Sequence, residues 1–389
     1  MGGDANFGGA ASAPAATGTA IFLDEFTLDG ASSTPTQTIA LPTTTSGAQR
    51  GIVDSGSASS TGFVTRTGDG SAVVTGGYDV GVGNAIGGAA ATNNRIIARV
   101  DGGGNVDTST GYSDDSAGAT LRSVAASGSN YYAGTASSSA STLYINTPGA
   151  IDTSTTRVGG GAVRTDGIYA NRLFVSVNST FESIKDTATG GLPTATAASN
   201  TITTFTLPIA SSEQFAMADL SPSVGFDGTG LDTLYIADPA AISGTSNPTT
   251  STESGGGIQK YVYNGTTWNL TITYNAGLSS TNTDHTFGGI VGVAFVALDD
   301  SGNPILFATT AAPNATGNAL MRIVDAGPLS SYTLVANAPT NTMFRGVAAP
   351  LPEPAGCAML GLGALGLLRR RRRARATMKQ INENEDISV

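Results

Sequence analysis

One cysteine, one histidine and one tryptophan are all that 389 residues contain of three residue types on which much protein chemistry depends. A lone Cys357 excludes any intrachain disulfide and any thiolate metal cluster, and a lone His285 excludes histidine-rich metal sites. Charge is scarce too. Only 12% of residues are Asp, Glu, Lys or Arg, against about 25% in an average globular protein. What charge there is leans acidic, with a net of −13 over residues 1–351 and +3 over 352–389. An acidic body repels nucleic acid and anionic lipid, so no nucleic-acid partner is expected. Long apolar runs are missing, and no helical apolar period exceeds two turns before Pro350.

Ser, Thr, Asn and Gly carry the polarity instead, and between them lie short apolar runs of β type. Ile21 to Leu23, Arg95 to Val100, Leu143 to Ile145, Leu173 to Val177, Leu234 to Ala237, Tyr261 to Tyr263 and Ile305 to Ala308 all read as strands. Residues 64–79, 121–135, 163–177, 217–238 and 291–310 each read as strand, tight turn, strand, and most are followed by a third strand. Antiparallel four-stranded units repeating in this way predict an all-β protein, a β-propeller of six four-stranded blades or alternatively seven. The segments at 19–30 and 36–43 would supply the strands missing from the last unit, closing the ring through the two ends of the chain.

Candidate chemistry is thin. His285 stands beside Asp284, but neighbours along a strand point to opposite faces, and a loop or edge histidine is the simpler reading. Asp24-Glu25, Asp114-Asp115 and Asp299-Asp300 are paired carboxylates, while Asp101, Asn105 and Asp107 put three oxygen side chains around a glycine-rich loop. Calcium takes such ligands, although Asp, Gly and Asn are equally the residues of hairpin turns. Beyond that possible Ca²⁺ no cofactor is expected. Arg66, Arg122, Arg164 and Arg345 recur just before successive first strands, where they could ring one face and meet an anion, or pair with the neighbouring unit. Trp268 reads as packing between sheets.

The C-terminus is unlike the rest. Fourteen uncharged residues from Ala355 to Leu368, with leucines at Leu360, Leu362, Leu365, Leu367 and Leu368, precede Arg369, Arg370, Arg371, Arg372 and Arg373. A spanning helix needs about 20 residues, so the stretch inserts marginally and the arginines hold their end on the cytoplasmic side. Gly361, Gly363 and Gly366 spell GxGxxG, but two prolines and an arginine run flank them, not a βαβ unit.

Pro352-Glu353-Pro354, the short apolar helix and the arginine cluster together resemble the PEP-CTERM sorting signal of exported bacterial proteins. The resemblance covers residues 351–375. It implies export, a transient inner-membrane anchor, cleavage near Pro352-Glu353-Pro354 by an exosortase, which is a membrane transpeptidase, and release to the cell surface or extracellular matrix. Two features depart from the pattern: residues 376–389 continue past the arginines, and no N-terminal signal peptide is visible in residues 1–17, so a start upstream of Met1 is expected.

The layout read from sequence is therefore a flexible segment at 1–17, a propeller-like domain at 18–350, the sorting signal at 351–375 with its membrane helix at 355–368, and a polar tail at 376–389. The function expected is a non-catalytic surface or matrix protein, with extracellular polysaccharide or matrix as partner. The alternatives are a secreted propeller hydrolase or lyase acting on polysaccharide or phosphoester, and an ice- or polysaccharide-binding protein.

Overall fold

The computed structural model describes residues 2–5, 17–86, 93–113, 119–138, 141–209, 211–221, 225–242, 247, 255–279, 288–311, 317–340, 342–349 and 351. Met1–Leu351 forms one compact unit. Its first eight strands are β1 (Gly2–Ala5), β2 (Gly18–Glu25), β3 (Gln37–Ala40), β4 (Val53–Ser55), β5 (Thr65–Arg66), β6 (Ala72–Tyr78), β7 (Arg95–Asp101) and β8 (Val106–Tyr112), and all lie in one sheet, sheet A. Sheet B holds β9 (Leu121–Ser127), β10 (Asn130–Thr135), β11 (Thr142–Ile145) and β13 (Thr156–Gly159), while β12 (Ile151–Asp152) runs parallel to β8 and joins sheet A.

Three simple meanders follow. Sheet C is β14 (Thr165–Tyr169), β15 (Arg172–Val177), β16 (Thr180–Asp186) and β17 (Asn200–Thr206). Sheet D is β18 (Phe215–Ala218), β19 (Thr233–Asp238), β20 (Gly257–Tyr263) and β21 (Trp268–Tyr274). Sheet E is β22 (Ile290–Leu298), β23 (Pro304–Thr310), β24 (Ala319–Val324) and β25 (Thr333–Asn337). The last strand, β26 (Phe344–Val347), returns to sheet A and pairs with β1, Gly2 opposite Val347.

Apolar clusters fill the spaces between successive sheets. Tyr78 and Ile97 of sheet A pack with Val124 and Ala133 of sheet B; Ala125 and Tyr132 of B pack with Leu173 and Val175 of C. Phe174 and Phe181 of C meet Met217 and Tyr261 of D, with Trp268 in the same cluster. Tyr235 and Ile258 of D meet Val293 and Met321 of E, and Phe307 and Leu320 of E meet Phe344 and Val347 of sheet A. The series of interfaces returns to its start, which makes the arrangement a β-propeller. Because both faces of each sheet are covered, β6, β19 and β23 are buried at every position rather than alternately.

The expectation of six or seven separate four-stranded blades is corrected: four sheets are four-stranded and antiparallel, and sheet A is a ten-stranded mixed sheet. The cause is β4, which pairs with both β2 and β6 and fuses what would otherwise be two sheets. Glycine permits the close approach. A Cβ on Gly18 would come within 2.7 Å of the Val53 side chain, and one on Gly77 within 2.6 Å of the Val53 carbonyl. Nothing in the short stretch Ile52 to Ser55 announces that double pairing.

The helices among the described residues are two three-residue 3-10 turns, Ala197–Ser199 and Phe226–Gly228, and no described helix is long and apolar enough to cross a membrane. This corrects the expectation of an apolar C-terminal transmembrane helix and, with it, of a transient inner-membrane anchor. Residues 352–389, on which those expectations rested, lie outside the described residues.

Small hydroxyls fasten each sheet to the next. Thr65 Oγ1 donates to Val124 O at 2.5 Å, the Ser123 hydroxyl accepts from Asp166 N at 2.9 Å, Ser176 Oγ donates to Glu213 O at 2.8 Å, and Thr309 Oγ1 donates to Arg345 O at 2.6 Å. Between sheets D and E the role falls to Asp325, which accepts from Lys260 Nζ at 2.7 Å, from the Tyr235 hydroxyl at 2.6 Å and from the Tyr274 hydroxyl.

One side chain reaches further. Gln214, just before β18 of sheet D, donates from Nε2 to Val64 O at 2.7 Å and to Val347 O at 2.9 Å, and its Oε1 accepts from Val347 N at 3.0 Å. It thus joins sheet D to two strand segments of sheet A through backbone groups that face the centre. Replacing it by leucine removes the donor and the acceptor and leaves three buried backbone groups unpaired, at about 1–3 kcal/mol each before relaxation. We expect Gln214→Leu to lower unfolding free energy by about 3 kcal/mol in urea titrations, whereas a midpoint equal to that of the parent would show that Gln214 braces nothing.

Candidate functional site

In sheets B to E the first strand, β9, β14, β18 or β22, sits at one end of the strand order, so one of its edges lacks a strand partner. Such an edge presents a row of N–H and C=O groups. At the beginnings of these inner strands a charged cluster gathers. Arg164 Nη1 lies 3.0 Å from Ser60 Oγ and 3.6 Å from Glu213 Oε1, and Ser60 Oγ donates to the same Oε1 at 3.1 Å. Arg122 Nη1 donates to Val163 O at 3.0 Å.

Glu213 is only 4% exposed, and its Oε2 has no hydrogen-bond partner among the described residues. Burial pushes its carboxyl up to about 7, although Arg164, Ser60 and Arg122 all favour the charged form. Arg122 is moved the other way, held below the usual guanidinium range by burial and by the like charge of Arg164. On the far side of the Ser60-Thr61 segment, Thr61 donates to Asp54 Oδ2 at 2.8 Å, and Arg345 donates from Nη2 to Ser55 O at 2.9 Å. Burial raises the Asp54 carboxyl, with Arg345 opposing it.

Residues of β5, β14, β18, β22 and β26 and their flanks line a cavity of about 390 Å³. Its wall includes Arg66, Asp69, Asp166, Tyr169, Gln214 and Phe295, with the apolar Phe215, Met217, Val293 and Val347 between them. Most of its polar side chains are already engaged. Asp69 accepts from Thr67 and Ser71 hydroxyls at 2.6 and 2.7 Å and from Gly128 N at 2.9 Å, and these bonds hold its carboxyl well below the usual range against the opposing effect of burial. Asp166 accepts from Ser123 Oγ at 3.2 Å and Thr142 Oγ1 at 3.3 Å and is pushed by burial up to about 7. Tyr169 and Phe295 are half-buried and Arg66 is exposed, and the Tyr169 hydroxyl donates to Phe215 O at 3.3 Å.

Of the residues singled out from sequence, the arginines divide. Arg122 and Arg164 come together around Glu213, and Arg345 is buried at 3% exposure beside Asp54. Arg66 stands apart, against Gly70 on the wall of the cavity. The three oxygen side chains at the glycine-rich loop do not converge. Asp101 caps its own turn, accepting from Gly103 N and Asn105 N at 2.9 and 3.0 Å and from the Asn105 amide, while Asp107 turns to Gln49 and Ser109. Asp299 repeats the same turn with Ser301 and Asn303. No group of three His, Cys, Asp or Glu able to hold a metal occurs among the described residues. Trp268 is 4% exposed and packs on Phe226 and Tyr263. His285, Asp114, Asp115, Pro352 to Pro354, the leucines from 360 to 368 and Arg369 to Arg373 lie outside the described residues.

Ser60, Glu213, Gln214 and Asp166 escape the sequence reading. Asp166, Glu213 and Gln214 share a position within or just before the first strand of a sheet, whereas Ser60 lies between β4 and β5. Periodicity marks the strands, but it does not say which edge remains unpaired.

No family model matches the chain, and no curated protein matches it. Among solved structures it resembles a candidate 6-phosphogluconolactonase from Bacteroides uniformis, at 11% identity and TM-score 0.41 over 87% of this chain and 83% of that one. A second candidate 6-phosphogluconolactonase, from Bacteroides fragilis, is 10% identical with TM-score 0.42 over 87% and 82%. The propeller of Dos1 is 9% identical with TM-score 0.38 over 74% and 63%.

The raised carboxyls carry a sign for stability. A folded state that holds Asp166 and Glu213 protonated up to about pH 7, while the unfolded chain releases these protons near 4, binds more protons between those values. Stability is then greatest below about pH 4 as far as these groups contribute, and falls as pH rises toward 7, by at most about 1.4 kcal/mol per pH unit per group. Asp166→Asn should flatten that fall in denaturant titrations across the window. A slope unaltered by the substitution would mean that Asp166 ionises normally.

Proposed function

We propose that this chain is a non-catalytic β-propeller that binds a saccharide in the cavity lined by β5, β14, β18, β22 and β26. The observation that carries the reading is the wall itself. Half-buried Tyr169 and Phe295 and exposed Arg66 line the cavity, and the first strands of the sheets present edges without a strand partner, while Gln214, Asp69, Asp166 and the Tyr169 hydroxyl are held by protein groups as framework. A hydroxylated ring has C–H faces for aromatic contact and hydroxyls that both donate and accept, which suits such a wall. The volume of about 390 Å³ lies at the lower end of ordinary ligand sites and accommodates one or two sugar rings.

Calorimetric titration with a panel of neutral and uronic-acid oligosaccharides tests this. At least one is expected to bind, with Phe295→Ala and Arg66→Ala each weakening it by about tenfold, or about 1.4 kcal/mol. No binding across the panel, or binding that neither variant alters, overturns the reading.

A second reading concerns the processing of the chain and rests on Pro352-Glu353-Pro354, the apolar stretch and the arginine run. We infer that this tract is the recognition element for an exosortase-type transpeptidase, which would cut near Pro354. Intact mass of the protein recovered from its own host should show the loss of everything after about residue 354, and substitution of Glu353 should leave the chain at full length. A chain never shortened in the parent sinks the reading.

A further inference from the structure

Two guanidiniums and one carboxyl meet where the inner strands begin, and they do not balance. The charge of Arg164 acts on Arg122, and Glu213, 3.6 Å from Arg164 Nη1, is the acid that both arginines act on. Their bonds to protein leave much of both guanidiniums unused. Arg122 gives Nη1 to Val163 O, and Arg164 gives Nε to Asn178 Oδ1 and Nη1 to Ser60 Oγ, so Nη2 of each takes no part in these bonds. Both arginines are only half-buried and remain reachable from solvent. Glu213 is deeper, at 4% exposure, with Oε2 unpartnered among the described residues.

We propose that Arg122, Arg164 and Glu213 form a binding site for a small oxyanion, a carboxylate or phosphate-type group. Planar guanidinium groups match such oxygens in pairs. Glu213 contributes as the neutral acid, its Oε2 proton donated to the anion while Oε1 keeps the Ser60 hydroxyl. An ionised Glu213 would repel the ligand and satisfy the arginines itself, so anion and proton enter together. The groups that face Glu213 are Arg164, Arg122 and the hydroxyls of Ser60 and Ser211; Asp54 and Arg345 lie beyond the Ser60-Thr61 segment and bond to other partners. Burial, which already favours the neutral carboxyl, places the change near neutrality. The site uses the beginnings of the inner strands and stands independently of the saccharide reading.

Sulfate is a suitable probe, because it stays a dianion across the range in which Glu213 titrates. Calorimetric titration of the full chain should give binding at about pH 5.5 that is roughly tenfold tighter than at about pH 8.5, with uptake of about half a proton per sulfate near pH 7, read from buffers of different ionisation enthalpy. Arg122→Gln and Arg164→Gln should each weaken sulfate by about tenfold or more, with circular dichroism confirming the fold. Glu213→Gln should keep sulfate binding and lose its pH dependence, which separates this carboxyl from the general change in protein charge. Should Arg164→Gln fail to fold, Arg122→Gln decides. Absence of sulfate binding at about pH 5.5, affinity indifferent to both arginine substitutions, or pH dependence retained by Glu213→Gln overturns the proposal.

Discussion

The unpaired inner edge of each sheet is the constraint on which the rest of this structure depends. A strand at the end of a sheet leaves backbone donors and acceptors without partners, and when those edges face the protein interior, water cannot be assumed to serve them. Gln214 answers with a side chain that imitates a peptide group: its amide donates to Val64 O and Val347 O, and its carbonyl accepts from Val347 N. A glutamine does this where a leucine could not. It also stands between the two candidate sites in sequence, next to Glu213 of the arginine cluster and itself part of the cavity wall. Both candidate sites are consequences of edges that no strand covers.

Buried charge obeys the same economy of partners. Asp325 sits among Lys260 and two tyrosine hydroxyls, and those bonds hold its carboxyl below the usual range despite burial. Asp166, offered two hydroxyls and no cation, goes the opposite way. Glu213 follows Asp166 despite its cation, because burial dominates and the Arg164 guanidinium, 3.6 Å away and partly open to solvent, is too weak an attraction to offset the loss of water. Three buried acids thus reach two protonation behaviours from their neighbours alone. Of the two raised toward neutrality, Glu213 is the one that lies next to cations.

Much of the fold is legible in the sequence, and the reason is local. Leu173 to Val177 and Ile305 to Ala308 are apolar runs bounded by turn residues, and they become β15 and β23 because their neighbours in the chain already pair with them. Hairpins need only nearby partners. The fusion of sheet A through β4 is different in kind: Val53 pairs across to Ala20 and Tyr78, contacts that depend on the bare Cα atoms of Gly18 and Gly77 rather than on any pattern within residues 52–56. β16, Thr180–Asp186, was equally hidden, since "TFESIKD" mixes charge with apolar residues and alternates only weakly. Of the candidate sites, the arginines were visible as a recurrence, whereas Glu213 and Gln214 acquire meaning only once β18 is known to lie at the edge of sheet D.

The composition that looked merely polar turns out to have a mechanical use. A propeller must fasten sheet to sheet across closely packed interfaces. Thr65, Ser123, Ser176 and Thr309 each place a hydroxyl at such an interface and bond to the backbone of the adjoining sheet. A hydroxyl is the smallest group that both donates and accepts, and it brings no net charge into a buried interface. Lysine or glutamate at those positions would require a counter-ion with each substitution. A chain built this way has little need of charge in its core, which accounts for a sequence where only 12% of all residues are charged and threonine and serine recur at the beginnings of strands. It also leaves the few arginines and acids that do lie near the axis conspicuous, since the packing itself is met by hydroxyls.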